Sequence, residues 1–95
     1  MELTNIQVTY CSNYNGCYLR AFVNEEQIDP SDYPEIDEQF EECSSDIIDE
    51  AVDQCDDDGC FYGDLSKLKE FCITTVKAAF GDQVNVTFEE DSVST

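Results

Sequence analysis

The chain has no histidine and no tryptophan, and only four lysines and arginines stand against 23 aspartates and glutamates. The absence of histidine removes the commonest general base and metal ligand at neutral pH. The scarcity of basic residues leaves no positive patch, so we expect no direct contact with nucleic acid. No apolar run approaches membrane-spanning length, and the first ten residues show no secretory leader pattern. We therefore expect a cytoplasmic protein with no membrane partner.

The composition that remains is sufficient for one folded domain over residues 1–95. Hydrophobic residues make up 41% of the chain and include six Phe and five Tyr, which a disordered acidic tail would lack. The net charge of −19 works against compaction through self-repulsion. A folded domain that keeps such a charge is expected to use it, which favours a basic protein partner and a monomer or weak homodimer.

Six cysteines leave the redox state open. A cytoplasmic location favours free thiols, with Cys43 and Cys72 as small apolar core residues. An oxidising compartment would instead allow a Cys11–Cys17 or a Cys55–Cys60 disulfide, giving a disulfide-stapled interaction module. The same four residues could form a zinc site, although neither pair has C-x2-C spacing. We expect no metal and no cofactor.

The pattern along the chain predicts an α+β fold of order β-β-α-α-β. Residues 3–10 alternate, Asn15-Gly16 suits a turn, and residues 17–23 complete a hairpin. A polar connection over 24–32 leads to a helix over 34–55, which Ser31 or Asp32 would cap. This helix could bend at Ser44-Ser45, where two weak helix formers adjoin. A second helix follows Asp64 and stops at Gly81, and residues 83–89 form the last strand. We expect a three-stranded, mainly antiparallel sheet with two helices on one face.

The first helix has two opposed faces. Apolar residues recur in steps of three or four and predict a buried stripe of Ile36, Phe40, Cys43, Ile47, Ala51 and Cys55. Carboxylates recur in the same steps on the opposite side at Glu35, Glu38, Glu42, Asp46, Asp49 and Asp53, which we call the acidic row. Further acids flank or extend the row at Asp37, Glu41, Glu50, Asp56, Asp57 and Asp58.

The acidic row has about the charge density of a nucleic-acid strand. Residues 35–53 span roughly 27 Å of helix, so with its flanking acids the face approaches one charge per 3.4 Å, the value for a DNA strand. No Lys or Arg occurs between Arg20 and Lys67. Ordinary solvated faces mix Glu with Lys at i,i+4, whereas like charges at that spacing cost stability. A plain solvated face is the alternative interpretation.

A halophilic origin, a calcium-binding loop and an enzyme fit the sequence less well. A halophilic origin would spread acids evenly, but 17 of the 23 lie between Glu25 and Asp64. The segment DQCDDDGCFYGD fails as an EF-hand loop in both registers that place a glycine correctly, although a looser cation site at Asp56–Asp58 stays possible. Without histidine, a phosphate loop or a burying pocket for paired carboxylates, we expect no enzyme.

The first half of the chain resembles a known protein family. Thr9-Tyr10, the turn Tyr14-Asn15-Gly16, Leu19, and the acidic helix start at Asp32-Tyr33 with Glu38, Phe40 and Cys43 are similar to the opening of ArdA-type antirestriction proteins. The second strand carries Phe22 near the position where that family usually has Trp, and ArdA proteins are longer. The chain is also similar in style to small acidic anti-CRISPR proteins of phages. These resemblances imply a DNA mimic acting in the host cytoplasm.

The sequence therefore predicts a non-enzymatic inhibitor. Such an inhibitor would place the carboxylates of the acidic row where DNA phosphates bind and so block a host defence nuclease complex, either a CRISPR effector or a restriction enzyme. The contact with this partner would be extended by Asp37, Glu41, Glu50, Asp56, Asp57 and Asp58. Lys67, Lys69 and Lys77 would lie away from the contact face.

Overall fold

A four-stranded mixed sheet forms the centre of the protein in the computed structural model, which describes residues 3–91. The strands lie in the order β3-β2-β1-β4. Their bounds are β1 Asn5–Cys11, β2 Gly16–Val23, β3 Glu26–Ile28 and β4 Asn85–Glu90. A 3-10 turn, Pro30–Asp32, precedes the helices α1, Pro34–Val52, and α2, Leu65–Phe80.

The α+β class and the two helices are confirmed, while the sheet differs from the prediction in two ways. The predicted three-stranded, mainly antiparallel sheet has a fourth strand, β3, inside the segment expected to be a polar connection. It pairs antiparallel with β2 after a turn in which Asn24 and Glu25 both adopt positive φ. The last strand, β4, pairs parallel with β1 rather than antiparallel. The element order is therefore β-β-β-α-α-β.

The shortness of β3 explains the parallel pairing. Because β3 covers only three residues, the chain leaves the sheet near the end of β2 and α1 must run back toward the β1–β2 turn. There Phe61 N donates a hydrogen bond to Ser12 O at 2.7 Å. After α2 has returned, Asn85 N donates to Thr4 O at 3.1 Å, beside the start of β1. The last strand can then only run in the direction of β1.

The core lies between one face of the sheet and both helices. The inward side chains include Ile6, Val8 and Tyr10 of β1 and Ala21 of β2, all fully buried. The predicted stripe of α1 meets them: Phe40, Cys43, Ile47 and Ala51 are buried and Ile36 is partly buried. Burial of each large apolar side chain contributes about 1.5–3 kcal/mol.

Local chemistry sets the ends of both helices. The Asp64 side chain accepts from Ser66 N at 2.9 Å, and α2 ends at Gly81, whose φ is 105°. The bounds of α2 therefore agree with the prediction. The first helix stops at Val52 rather than 55, because Gln54 O accepts from Tyr62 N and Cys55 bridges to Phe61. It continues without a break through Ser44, whose hydroxyl donates to Cys17 O at 3.2 Å.

Candidate functional site

The start of α1 is set by a proline and a separate turn before it. Pro34 occupies the first turn, and Tyr33 precedes it without a capping side-chain bond. The expected caps, Ser31 and Asp32, instead belong to the 3-10 turn, so that prediction was wrong. Asp29 caps this turn by accepting from Ser31 N at 3.0 Å and from the Ser31 hydroxyl at 2.8 Å. The hydroxyl and then the backbone bond lower the pKa of Asp29.

The acidic row lies entirely on the outer face of α1 and its first following residue. Five of its members lie within the helix, and Asp53 forms the C-cap. All six side chains are exposed, as are the six flanking and extending acids. At ~1.5 Å per residue the row extends roughly 27 Å. The α-helix thus places six carboxylates along one line that faces solvent, opposite the buried stripe.

Acids of the row and its flanks border two grooves, one on each side of α1. On the sheet side, Asp37, Glu41 and Asp49 border a groove of about 570 Å³ that reaches β2. On the other side, Glu42 and Asp46 border a groove of about 430 Å³ between α1 and α2. The sequence predicted neither groove. Their walls come from elements that are distant along the chain, so only the packing of α1 against β2 and α2 shows where they lie.

The loop after α1 uses one of its three aspartates for its own structure. Asp56 Oδ1 accepts from Asp58 N at 3.0 Å and from Cys60 N at 2.9 Å. Gly59 closes the turn with a φ of 83°, a conformation that glycine tolerates best. Asp57 and Asp58 are left exposed at the tip. Of the three acids predicted to extend the row, Asp56 therefore also holds the loop together.

The six cysteines are free thiols. Cys17 pairs with Tyr10, and both side chains lie on the core side of the sheet. Cys11 follows Tyr10 in β1, so its side chain points to the other face. Side chains on opposite faces are poorly placed for a disulfide between Cys11 and Cys17. Cys55 Sγ donates to Ala51 O at 3.3 Å, whereas Cys60 Sγ donates to Asn13 O at 2.8 Å. Cys55 and Cys60 thus each donate to a backbone carbonyl in this structure.

Burial keeps the core thiols protonated. It raises the pKa of Cys17 and Cys72 to about 12. The pKa of Cys43 rises to about 11, first through burial and then through the nearby carboxylates of Asp46 and Glu42. Since the thiolate is the reactive form, these cysteines are inert packing residues in the folded state. The prediction that Cys43 and Cys72 are core residues is confirmed.

The basic residues lie on other elements than α1. Lys67, Lys69 and Lys77 are on α2, and Arg20 is on β2. Lys77 is in the last turn of α2, where a positive charge favours the helix dipole. No lysine or arginine occurs in the sequence of α1. The negative face of α1 is therefore not neutralised by its own helix.

Exposed tyrosines were missed as candidate contact residues. Tyr14 and Tyr18 are about half exposed, and their hydroxyl oxygens lie 3.0 Å apart. Tyr62, beside the aspartate loop, is 71% exposed. The alternation of β2 could have shown that Tyr18 lies on the face opposite Leu19, but not that helices cover only one face of the sheet.

Several site types have no counterpart in residues 3–91. Within that range no group of three or more Cys, Asp or Glu side chains is arranged to hold a metal ion. None of the helices described there is both long and apolar enough to span a bilayer.

Compared with models of protein families, with curated proteins and with solved structures, the chain matches none of them.

Proposed function

We propose that the protein is a non-enzymatic inhibitor that occupies the DNA-binding groove of a host defence nuclease complex in the cytoplasm. The acidic row supplies carboxylates in place of DNA phosphates, and the partner supplies the lysines and arginines that normally bind DNA. A CRISPR effector or a restriction enzyme has a groove of this kind. The inhibitor itself needs no cofactor and performs no chemistry.

The observation that carries the proposal is the continuous exposure of six carboxylates along one side of a 19-residue helix and its C-cap. Like charges lie at i,i+4 between Glu38 and Glu42 and between Glu42 and Asp46, an arrangement that costs helix stability. A row that weakens its own helix is readily explained by recognition of a cationic surface. The supporting feature is its length, which matches about eight phosphates at ~3.4 Å spacing along a strand.

The test is competition with DNA on purified CRISPR effector complexes and restriction enzymes. Fluorescent target DNA is bound to each enzyme, and displacement by the protein is followed by anisotropy. We expect displacement from at least one enzyme, with an affinity that falls steeply between 50 and 200 mM salt, by the ~10³–10⁵-fold typical of six to ten phosphate contacts. A shallow salt dependence, or simultaneous binding of DNA and protein, would reject the proposal.

Charge reversal identifies the surface. The double variant Glu42→Lys and Asp46→Lys should abolish displacement while leaving the circular dichroism spectrum unchanged. The matched control reverses two exposed acids elsewhere, Glu70→Lys and Asp82→Lys, with the same change in net charge. We expect the control to retain most of its activity. Equal loss in both variants would show that overall charge, and not the acidic row, governs binding.

A further inference from the structure

We propose that the groove between α1 and β2 binds an extended segment of the partner as an added β-strand, with Lys or Arg at every second residue. This surface touches the acidic row only at Asp49, and the choice of a basic partner rests on the proposed function. Three features support the inference: an uncovered strand edge, an apolar floor and an acidic rim.

The uncovered edge is the first half of β2. In the part of the chain that the structure describes, β3 pairs only with Ala21, Phe22 and Val23. In the rest of β2, residues 17–19 have β1 on one side and line the groove on the other, where Pro30 also lies. A strand edge of this kind offers backbone donors and acceptors to an incoming peptide.

The direction of the backbone groups follows from the parallel pair. Tyr10 O accepts from Asp91 N, the residue after β4, so the even-numbered residues of β1 face β4 and the odd-numbered residues face β2. The antiparallel register then turns the even-numbered residues of β2 toward β1. Cys17 and Leu19 consequently direct their N–H and C=O groups outward. Ser44 Oγ already donates to Cys17 O at 3.2 Å, which confirms this direction and shows that the edge accepts a donor.

The side chains around the edge favour a basic strand. The floor of the groove is apolar and includes Leu19, Phe40 and Ile48, and the rim carries Asp37 and Glu41, both exposed. A lysine or arginine on the helix side of an added strand would lay its methylene stem on this floor and reach the rim with its charge.

The opposite face of the same added strand would lie beside Tyr18 and Arg20. A second row of basic side chains there would be repelled by Arg20. Since successive residues of a strand point to opposite faces, the favoured partner has a basic residue at every second position and neutral polar residues between them. This requirement distinguishes strand addition from general attraction to an acidic surface.

The test uses a fluorescein-labelled peptide of four Thr-Lys repeats and the intact protein. Two controls have the same composition and charge: one groups the four lysines together, and one carries N-methyl groups on the alternate amides that would bond to β2. We expect saturable binding of the alternating peptide at 50 mM salt. Loss of two backbone hydrogen bonds should weaken the N-methylated peptide by about thirtyfold, and the grouped peptide should bind at least about tenfold more weakly.

Two protein variants locate the contact on the groove. Asp37→Asn with Glu41→Gln removes two rim charges, and Glu35→Gln with Glu38→Gln removes two charges of α1 that do not border this groove. We expect the rim variant to lose several times more affinity than its counterpart, and peptide binding to slow hydrogen exchange of the Leu19 amide.

Equal binding of all three peptides, or equal loss in both variants, would overturn strand addition. Self-association of the protein that the peptide disperses would also overturn it, since a second copy would then occupy the groove. Failure of DNA competition would reject the proposed inhibitor while leaving the peptide preference unaffected, so the two hypotheses fail separately.

Discussion

Glu42 lies at the centre of the acidic row, with Glu38 one turn before it and Asp46 one turn after it. Each of these i,i+4 pairs is a repulsion between exposed carboxylates. The substitution Glu42→Lys converts both repulsions into attractions. Lys and Glu have similar helix propensities, and residue 42 is far from either helix end, so propensity and dipole effects change little.

The expected effect is stabilisation. Two repulsions of ~0.2–0.5 kcal/mol are removed and two attractions of similar size are added, so the free energy of unfolding should rise by about 1–2 kcal/mol. Urea unfolding at 20 mM salt measures it without adding ionic strength. At 1 M salt the Debye length falls to about 3 Å, and we expect most of the gain to disappear. The same substitution should weaken the proposed inhibition, so stability and function would change in opposite directions.

The control is Glu70→Lys on α2, which changes the net charge of −19 by the same two units. Its i,i+4 neighbours, Ser66 and Thr74, are uncharged, and it would lose an attraction to Lys67. We expect no comparable gain. If Glu42→Lys is neutral or destabilising, or if its gain equals that of Glu70→Lys or persists at 1 M salt, the local repulsion does not exist.

Three further predictions concern the cap, the aspartate loop and the thiols. Asp64→Ala removes the acceptor of the 2.9 Å bond at the start of α2, and the free energy of unfolding should fall by ~1 kcal/mol, measured by urea titration. Asp56→Ala frees the backbone N–H groups that hold the loop, so Cys60 should react faster with a thiol reagent, whereas Asp57→Ala should leave that rate unchanged. Burial raises the pKa of Cys72 from the ordinary thiol value near 9 to about 12. The contribution of this thiol to stability is therefore fully present below pH 9 and is lost as the pH rises from 9 toward 12. Unfolding curves at pH 8 and pH 10.5 should show this loss, and an unchanged or higher midpoint at pH 10.5 would contradict it.

Helix positions were readable from the sequence because their determinants are local. Asp64 and Gly81 delimit α2 through a side-chain cap and a positive φ, and both effects act within one turn. The buried stripe of α1 followed in the same way from its 3.6-residue period. The prediction extended α1 to residue 55, beyond its observed end. Cys55 instead forms a β-bridge with Phe61, and the hydrophobic period of the helix does not indicate this bridge.

The sheet could not be derived as fully because its pairing is long-range. Glu26–Ile28 is too short for alternation to be seen, and its turn uses Asn24 and Glu25 at positive φ without a glycine. The parallel partner of β1 depends on where the chain leaves the sheet, which residue types do not encode. For the candidate site, periodicity placed the six carboxylates on one line, but the groove beside β2 required the full topology.

The parallel contact between β1 and β4 links the two ends of the described chain, since residues 5–10 pair with residues 85–90. During synthesis the first hairpin and both helices leave the ribosome before β4 is made, so β1 is at first paired only with β2. The second helix packs on β4, so it gains its full support only after the final strand has been made. A protease cut between Gly81 and β4 would undo this closure without cutting the helix that carries the acidic row.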